Sequence, residues 1–156
     1  MKTINDVYTL YNGVKIPKVG YGTWQIPNSE AYQCTLDALS LGYRHIDTAK
    51  AYRNEKAIGK AIKDSGLKRE ELFVTSKLPA QTKGYEETLN AFSETMHDLG
   101  LEYLDLYLIH APWPWDEIGK DCTEGNIQSW KAMEKLYQEG KIKSIGVSNF
   151  SPKDIQ

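Results

Sequence analysis

The sequence predicts an α/β fold in which parallel strands and helices alternate as repeating units of the kind that suits a barrel. Three observations predict it. Short apolar runs with strand character recur, and the segments between them carry apolar residues every three or four positions. Strand and helix alternate with a period of about 25 to 40 residues, as parallel strands joined by crossover helices require. Four runs end in a chemically capable side chain: Asp47, Lys77, His110 and the pair Ser148 and Asn149. In a parallel barrel all strand ends of one polarity open on one face, and active sites are built there.

The elements follow in order. Residues 7–16 alternate around Asn12-Gly13, which reads as a β-hairpin. The first barrel strand is expected over residues 19–24. Asn28 or Ser29 then caps a helix carrying Ala31, Thr35, Ala38 and Leu39. The run Tyr43-Arg44-His45-Ile46-Asp47 is the second strand. Asn54 precedes a helix with Ala57, Ile58, Ala61 and Ile62, and Gly66 lies beyond. The third strand covers residues 72–77. Thr82 precedes a helix with Tyr85, Leu89, Phe92, Met96 and Leu99, stopped by Gly100. The fourth strand covers 105–110, and its helix carries Ile127, Trp130, Met133 and Leu136 before Gly140. A fifth strand covers 144–149. Ser151-Pro152 reads as the cap and first position of another helix, over 151–156. The units within 19–149 therefore give five strands and four complete helices.

Composition narrows the function classes. At 156 residues the chain is the size of one domain, and its net charge of −2 offers no attraction to nucleic acid or an anionic membrane. No apolar stretch approaches the roughly 20 residues of a membrane span. The start, Met1-Lys2-Thr3-Ile4-Asn5-Asp6, lacks the apolar core of a secretory signal. Cys34 and Cys122 lie far apart and match no metal or redox spacing, so free thiols in a reducing cytoplasm are expected, with no metal centre. No G-x-G-x-x-G is present to cradle a phosphate.

Taken singly, the rim residues have plain explanations. Asp47 after a strand is a ready helix cap, Tyr52 is one of ten tyrosines, Lys77 suits a solvated rim, and His110 suits packing. Their joint arrival at successive strand ends is hard to explain as packing. His45, inside a strand, and His97, on a helix, are read as structural. Glu55 is read as a cap or buttress for the helix after Tyr52.

The same residues carry a family resemblance. Gly42-Tyr43-Arg44-His45-Ile46-Asp47-Thr48-Ala49, with Asn54-Glu55 and Gly59, resembles the first signature of the aldo-keto reductases. Lys143-Ser144-Ile145-Gly146-Val147-Ser148-Asn149-Phe150 resembles the second. The resemblance runs from about Val7 to the end of the chain and implies a TIM (β/α)8 barrel whose bottom the hairpin closes. It places the family's catalytic tetrad on Asp47, Tyr52, Lys77 and His110. It implies an NADPH site, NADH not being excluded, with Ser148 and Asn149 on the carboxamide and with Thr23 and Asp47 in the cofactor set. Trp24, His110 and Trp113 would line the pocket of a small aldehyde, ketone or diketone. Many relatives have tryptophan directly after the histidine, where this chain has Ala111.

The implied chemistry is physically reasonable. Reducing a carbonyl needs an oriented substrate, a stabilised oxyanion and a proton donor besides the hydride source. A phenol's reference pKa near 10 lies about three units, roughly 4 kcal/mol, above neutrality. An ammonium about 4 Å away at an effective dielectric of about 20 offers a similar amount. Lys77 would supply that charge, Asp47 would hold Lys77, and Tyr52 would give the proton.

A complete eight-unit barrel typically needs about 250 residues. The expectation is therefore the N-terminal half of such a barrel, spanning 1–156, with self-association through its open edges. Two rival readings follow. One is a catalytically inactive truncated chain acting as a nucleotide-binding or assembly module. The other is Schiff-base chemistry at Lys77, which the tyrosine and histidine partners argue against.

Overall fold

The computed structural model describes Thr3, Ile4 and residues 6–155. Met1, Lys2 and Asn5, from the stretch read for a leader, lie outside the described residues, as does Gln156 at the end of the 151–156 helix.

Strands β1 (Val7–Thr9) and β2 (Lys15–Pro17) form the antiparallel hairpin, with Val7 opposite Pro17. Its turn is the three-residue kind. Leu10 accepts the Gly13 N–H at 2.9 Å and donates to the Val14 carbonyl at 2.8 Å. Gly13 alone takes a left-handed φ, +85°, which explains why glycine stands there.

A second sheet holds β3 (Tyr21–Gly22), β4 (His45–Asp47), β5 (Phe73–Leu78), β6 (Leu106–Ile109) and β7 (Ile145–Val147). All neighbours are parallel, and spatial order equals chain order. Helices α1 (Asn28–Ser40), α2 (Glu55–Asp64), α3 (Tyr85–Leu99) and α4 (Thr123–Gln138) make the four crossovers, and α5 (Pro152–Ile155) follows β7. This is one run of barrel units.

Several boundaries differ from the sequence reading, each for a local reason. Strand β3 pairs over two residues rather than 19–24. Gly20 is pressed against the His45 ring, and Gln25 turns the chain away at a φ of +62°. Neither Asn28 nor Ser29 caps α1; Pro27 holds the cap position, and its carbonyl accepts the Glu30 and Ala31 N–H groups at 2.9 Å. Thr82 does not cap α3 either. Gly84 stands there, its N–H bonded to Ser129 Oγ at 3.0 Å. Ser151 does open α5, donating to Asp154 through both its N–H and its hydroxyl.

The sheet's two faces are used differently. Ile46, Val74, Leu78, Tyr107 and Ile109 face the helices and join Leu39, Ile58, Phe92, Leu99 and Met133 in one core. Tyr107 meets Phe92 edge-on at 5.3 Å. A side chain at Gly59 would sit 2.1 Å from the Leu99 carbonyl oxygen, so α2 and α3 meet backbone to backbone. The alternate residues point inward. His45 packs on the Phe73 ring at 4.9 Å and hydrogen-bonds Thr75 at 3.0 Å, and burial pushes its imidazole below the usual pKa. At the N-terminal ends of the strands, Asn12 Nδ2 donates to the Lys143 carbonyl at 3.0 Å and Ser144 Oγ at 3.2 Å. The hairpin thus lies under the sheet, leaving the C-terminal ends open. Cys34 and Cys122 are unbridged. Among the described residues no helix is long and apolar enough to cross a membrane.

Candidate active site

Three strands deliver side chains to one rim. Asp47 ends β4, Lys77 lies one residue from the end of β5, and His110 directly follows β6. After Ala49 the chain makes one 3-10 turn, Lys50–Tyr52. Arg53 closes it at a φ of +58°, a conformation uncommon for a side chain of that size. This turn brings Tyr52 back over the sheet. Lys77 is buried, and its ammonium has three hydrogens to place. They meet the Asp47 carboxylate, the Thr48 carbonyl at 2.9 Å and the Tyr52 hydroxyl at 3.5 Å.

His110 completes the group. It is 7% exposed, and its ring meets Tyr52 edge-on at 5.8 Å. Burial, and then the nearby Lys77 charge, push its pKa down to about 4, with Asp47 opposing. The imidazole is therefore neutral at physiological pH. Its Nδ1 is buried without a hydrogen-bond partner among the described residues. Trp115 closes the other side, with ring centres 5.4 Å apart at 87°. Trp113 sits one step further out, 5.7 Å from Trp115. Trp24 stands largely exposed on the loop after β3. Of the predicted wall residues, the structure therefore places Trp113 beside the wall, while Trp24 is an exposed residue of the loop after β3. Trp115 supplies the ring that touches His110.

Ser148 and Asn149 follow β7 at the same rim. Ser148 N–H bonds the Ile109 carbonyl at 2.9 Å, extending the ladder by one residue. Asn149 adopts a φ of +60°, which asparagine tolerates better than most residues. Its Nδ2 donates to the His110 carbonyl at 2.8 Å and to Ser148 Oγ at 3.1 Å. The Asn149 side-chain oxygen and the Ser148 hydroxyl hydrogen stay available, an acceptor and a donor side by side. That pair fits a primary carboxamide such as that of nicotinamide. Thr23 is placed differently: it is buried, and its hydroxyl donates to Thr48 Oγ1 at 2.9 Å.

Two residues passed over as catalytic candidates tie this site together. Asn54 is buried and donates to the Thr23 and Ile26 carbonyls at 2.9 and 3.1 Å, fastening the Trp24 loop. Glu55 accepts from Ser76 Oγ at 2.5 Å on the opposite side of β5 from Lys77. Burial pushes its pKa up to about 7, and its second oxygen has no partner among the described residues. The signal for both was their place in the first motif, two and three residues after Tyr52.

Strand ends that converge on a tyrosine, a lysine and a histidine over a parallel barrel sheet define a class, and the chain belongs to it. Residues 18–156 match the Aldo/keto reductase family. The chain is 48% identical over 149 residues to the glyoxal reductase of Bacillus subtilis, covering 95% of itself and 51% of that protein. It is 42% identical to glycerol 2-dehydrogenase (NADP(+)) of Saccharomyces cerevisiae, over 99% of itself and 56% of that protein. The crystal structure of an aldo/keto reductase from Brucella melitensis matches with a TM-score of 0.88 at 47% identity, over 96% of this chain and 56% of that one. An aldo-keto reductase of Bombyx mori in complex with NADP matches with a TM-score of 0.86 at 35% identity, over 99% and 53%. The chain spans about half the length of the curated relatives it matches.

Proposed function

We propose that this chain carries the proton-transfer half of a carbonyl reductase, reducing a small aldehyde or ketone to an alcohol with Tyr52 as the proton donor. The observation that carries the reading is the contrast between Tyr52 and His110. Both line the same spot, but burial pushes the His110 pKa down to about 4, so its ring is neutral at physiological pH and poorly suited to give up a proton. Tyr52 instead receives a hydrogen bond from a buried ammonium, which compensates the charge left on its oxygen when the proton leaves.

Held by Ser148 and Asn149, NADPH or NADH would supply the hydride for the carbonyl carbon. The chain's own residues do the rest. Tyr52 gives its hydroxyl proton to the carbonyl oxygen, producing the alcohol, and regains a proton from solvent. Lys77 faces the phenolic oxygen, while Asp47 and the Thr48 carbonyl fix its other two hydrogens. His110, as a neutral ring, orients the carbonyl through one N–H. Ser148 and Asn149 hold the carboxamide and so choose which nicotinamide face meets the substrate. Thr23 supports the site through Thr48. Trp24 and Trp113 shape the approach for a small substrate. The names of relatives, a glyoxal reductase and a glycerol 2-dehydrogenase that uses NADP(+), support this substrate class and cofactor.

The test is Tyr52→Phe. Turnover of a small aldehyde with NADPH should vanish while NADPH still quenches tryptophan fluorescence as before. Unchanged turnover would remove tyrosine from the mechanism. Saturable NADPH binding without turnover by the unmodified chain would point instead to a nucleotide-binding module, and borohydride trapping of a carbonyl on Lys77 to Schiff-base chemistry.

A further inference from the structure

Three consecutive carbonyls just beyond β6 are held by side chains from three different places. His110 O accepts from Asn149 Nδ2, Ala111 O from Lys83 Nζ, and Pro112 O from Asn126 Nδ2, each at 2.8 Å. Sheet pairing has ended there, since His110 N–H makes the last ladder bond, to Leu78 at 3.3 Å, and Pro112 has no N–H. Side chains replace the ladder. The clamps on Ala111 and Pro112 are themselves joined, because Lys83 Nζ also donates to Asn126 Oδ1 at 2.8 Å. That bond fixes the Asn126 amide with its nitrogen toward Pro112. Gly125, in the first turn of α4, lets that helix press on the Lys83 stem; a side chain there would come 2.7 Å from Lys83 Cβ. Lys83 pairs with no carboxylate among the described residues, and burial lowers its pKa to about 8. A lysine kept there at that cost points to a task beyond surface charge.

The clamped segment leads directly to Trp113 and Trp115, and Trp115 is the ring on His110. Among the described residues no hydrogen bond holds His110 Nδ1. The imidazole's orientation therefore depends on the edges of Tyr52 and Trp115. We propose that Lys83 and Asn126 are positioning residues: by clamping the Ala111 and Pro112 carbonyls they set Trp113 and Trp115 against His110 and so fix how a carbonyl substrate approaches. The inference rests on the carbonyl-reductase reading for its kinetic consequence, though not for its structural one.

The experiment compares Lys83→Met, Asn126→Asp and Lys83→Arg in the full chain. Asn126→Asp keeps an acceptor for Lys83, now charged, and turns the donor to Pro112 into a second acceptor that repels its carbonyl, so it decides the matter if Lys83→Met fails to fold. Both disruptive variants should raise KM for a small aldehyde about tenfold, with NADPH affinity unchanged and kcat within about a factor of three. They should also weaken the near-ultraviolet circular dichroism of the paired tryptophans. The His110 proton resonance should titrate closer to its ordinary range, as the loosened wall admits water. Lys83→Arg should restore most of each signal. If the folded variants keep KM, tryptophan dichroism and His110 titration at wild-type values, the clamp has no positioning role. If the unmodified chain reduces no carbonyl, the functional reading falls, yet the dichroism and the His110 titration still decide the clamp.

Discussion

Ser76 and Lys77 are neighbours on β5, yet they face opposite sides of the sheet and solve the same problem differently. Lys77 points inward, remains an ammonium, and is matched by Asp47, Thr48 and Tyr52. Ser76 points outward to Glu55, the first residue of α2, which is buried there with its pKa pushed up to about 7. The inner groups form an ion pair at the rim, and the Asp47 side chain remains 37% exposed. The outer carboxyl has no cation in hydrogen-bond contact among the described residues, and burial favours its proton. At the rim a counter-ion and solvent meet the carboxylate; where the group is sealed without a cation, burial holds its proton until the pH approaches about 7.

Breaking the inner side should give the largest effect. Lys77→Met leaves Asp47 a partly solvated carboxylate, so the fold should tolerate it. Steady-state kinetics should show kcat/KM down roughly 10³-fold, within the usual range for losing support of a proton donor.

The outer side should speak through pH. The folded pKa of Glu55, about 7, lies above its ordinary 4.5, so its contribution to stability is full below 4.5 and is lost as pH rises through 7. Glu55→Gln should remove that decline, a difference of roughly 3 kcal/mol at alkaline pH in urea titrations. His110 has the opposite sign. Its folded pKa, about 4, lies below the ordinary 6.5, so its contribution is present above 6.5 and is lost as pH falls toward 4. His110→Asn should flatten that acid limb, read by the same titrations.

Smaller effects sharpen the contrast. Ser76→Ala leaves Glu55 Oε1 without its donor and should cost about 1–3 kcal/mol at pH 6. Trp24→Ala touches neither cluster. On this exposed loop it should change the urea midpoint by less than about 0.5 kcal/mol while altering KM for bulky carbonyls.

How much the sequence disclosed follows the same division. Strand ends, helix faces and the Asp47, Tyr52, Lys77 and His110 group were legible because each depends on local periodicity or an ordered motif. Asn54, Lys83 and Asn126 were not read as site residues. Asn126 holds a carbonyl 14 positions away, and Lys83 one 28 positions away. Side chain to backbone bonds across such distances leave no spacing pattern. The helix starts failed for a related reason: Pro27 and Gly84 use backbone geometry and a distant Ser129 where Asn28 and Thr82 offered the local chemistry.

The hairpin adds a matter of timing. Asn12 finds its partners on the strand at the far end of the sheet, 131 and 132 positions along the chain. Closing so long a loop is slow and unrewarded until the intervening units have condensed. The Asn12 bonds are therefore expected to form only after β3 to β7 have paired, a latch that reports that those units have assembled in order.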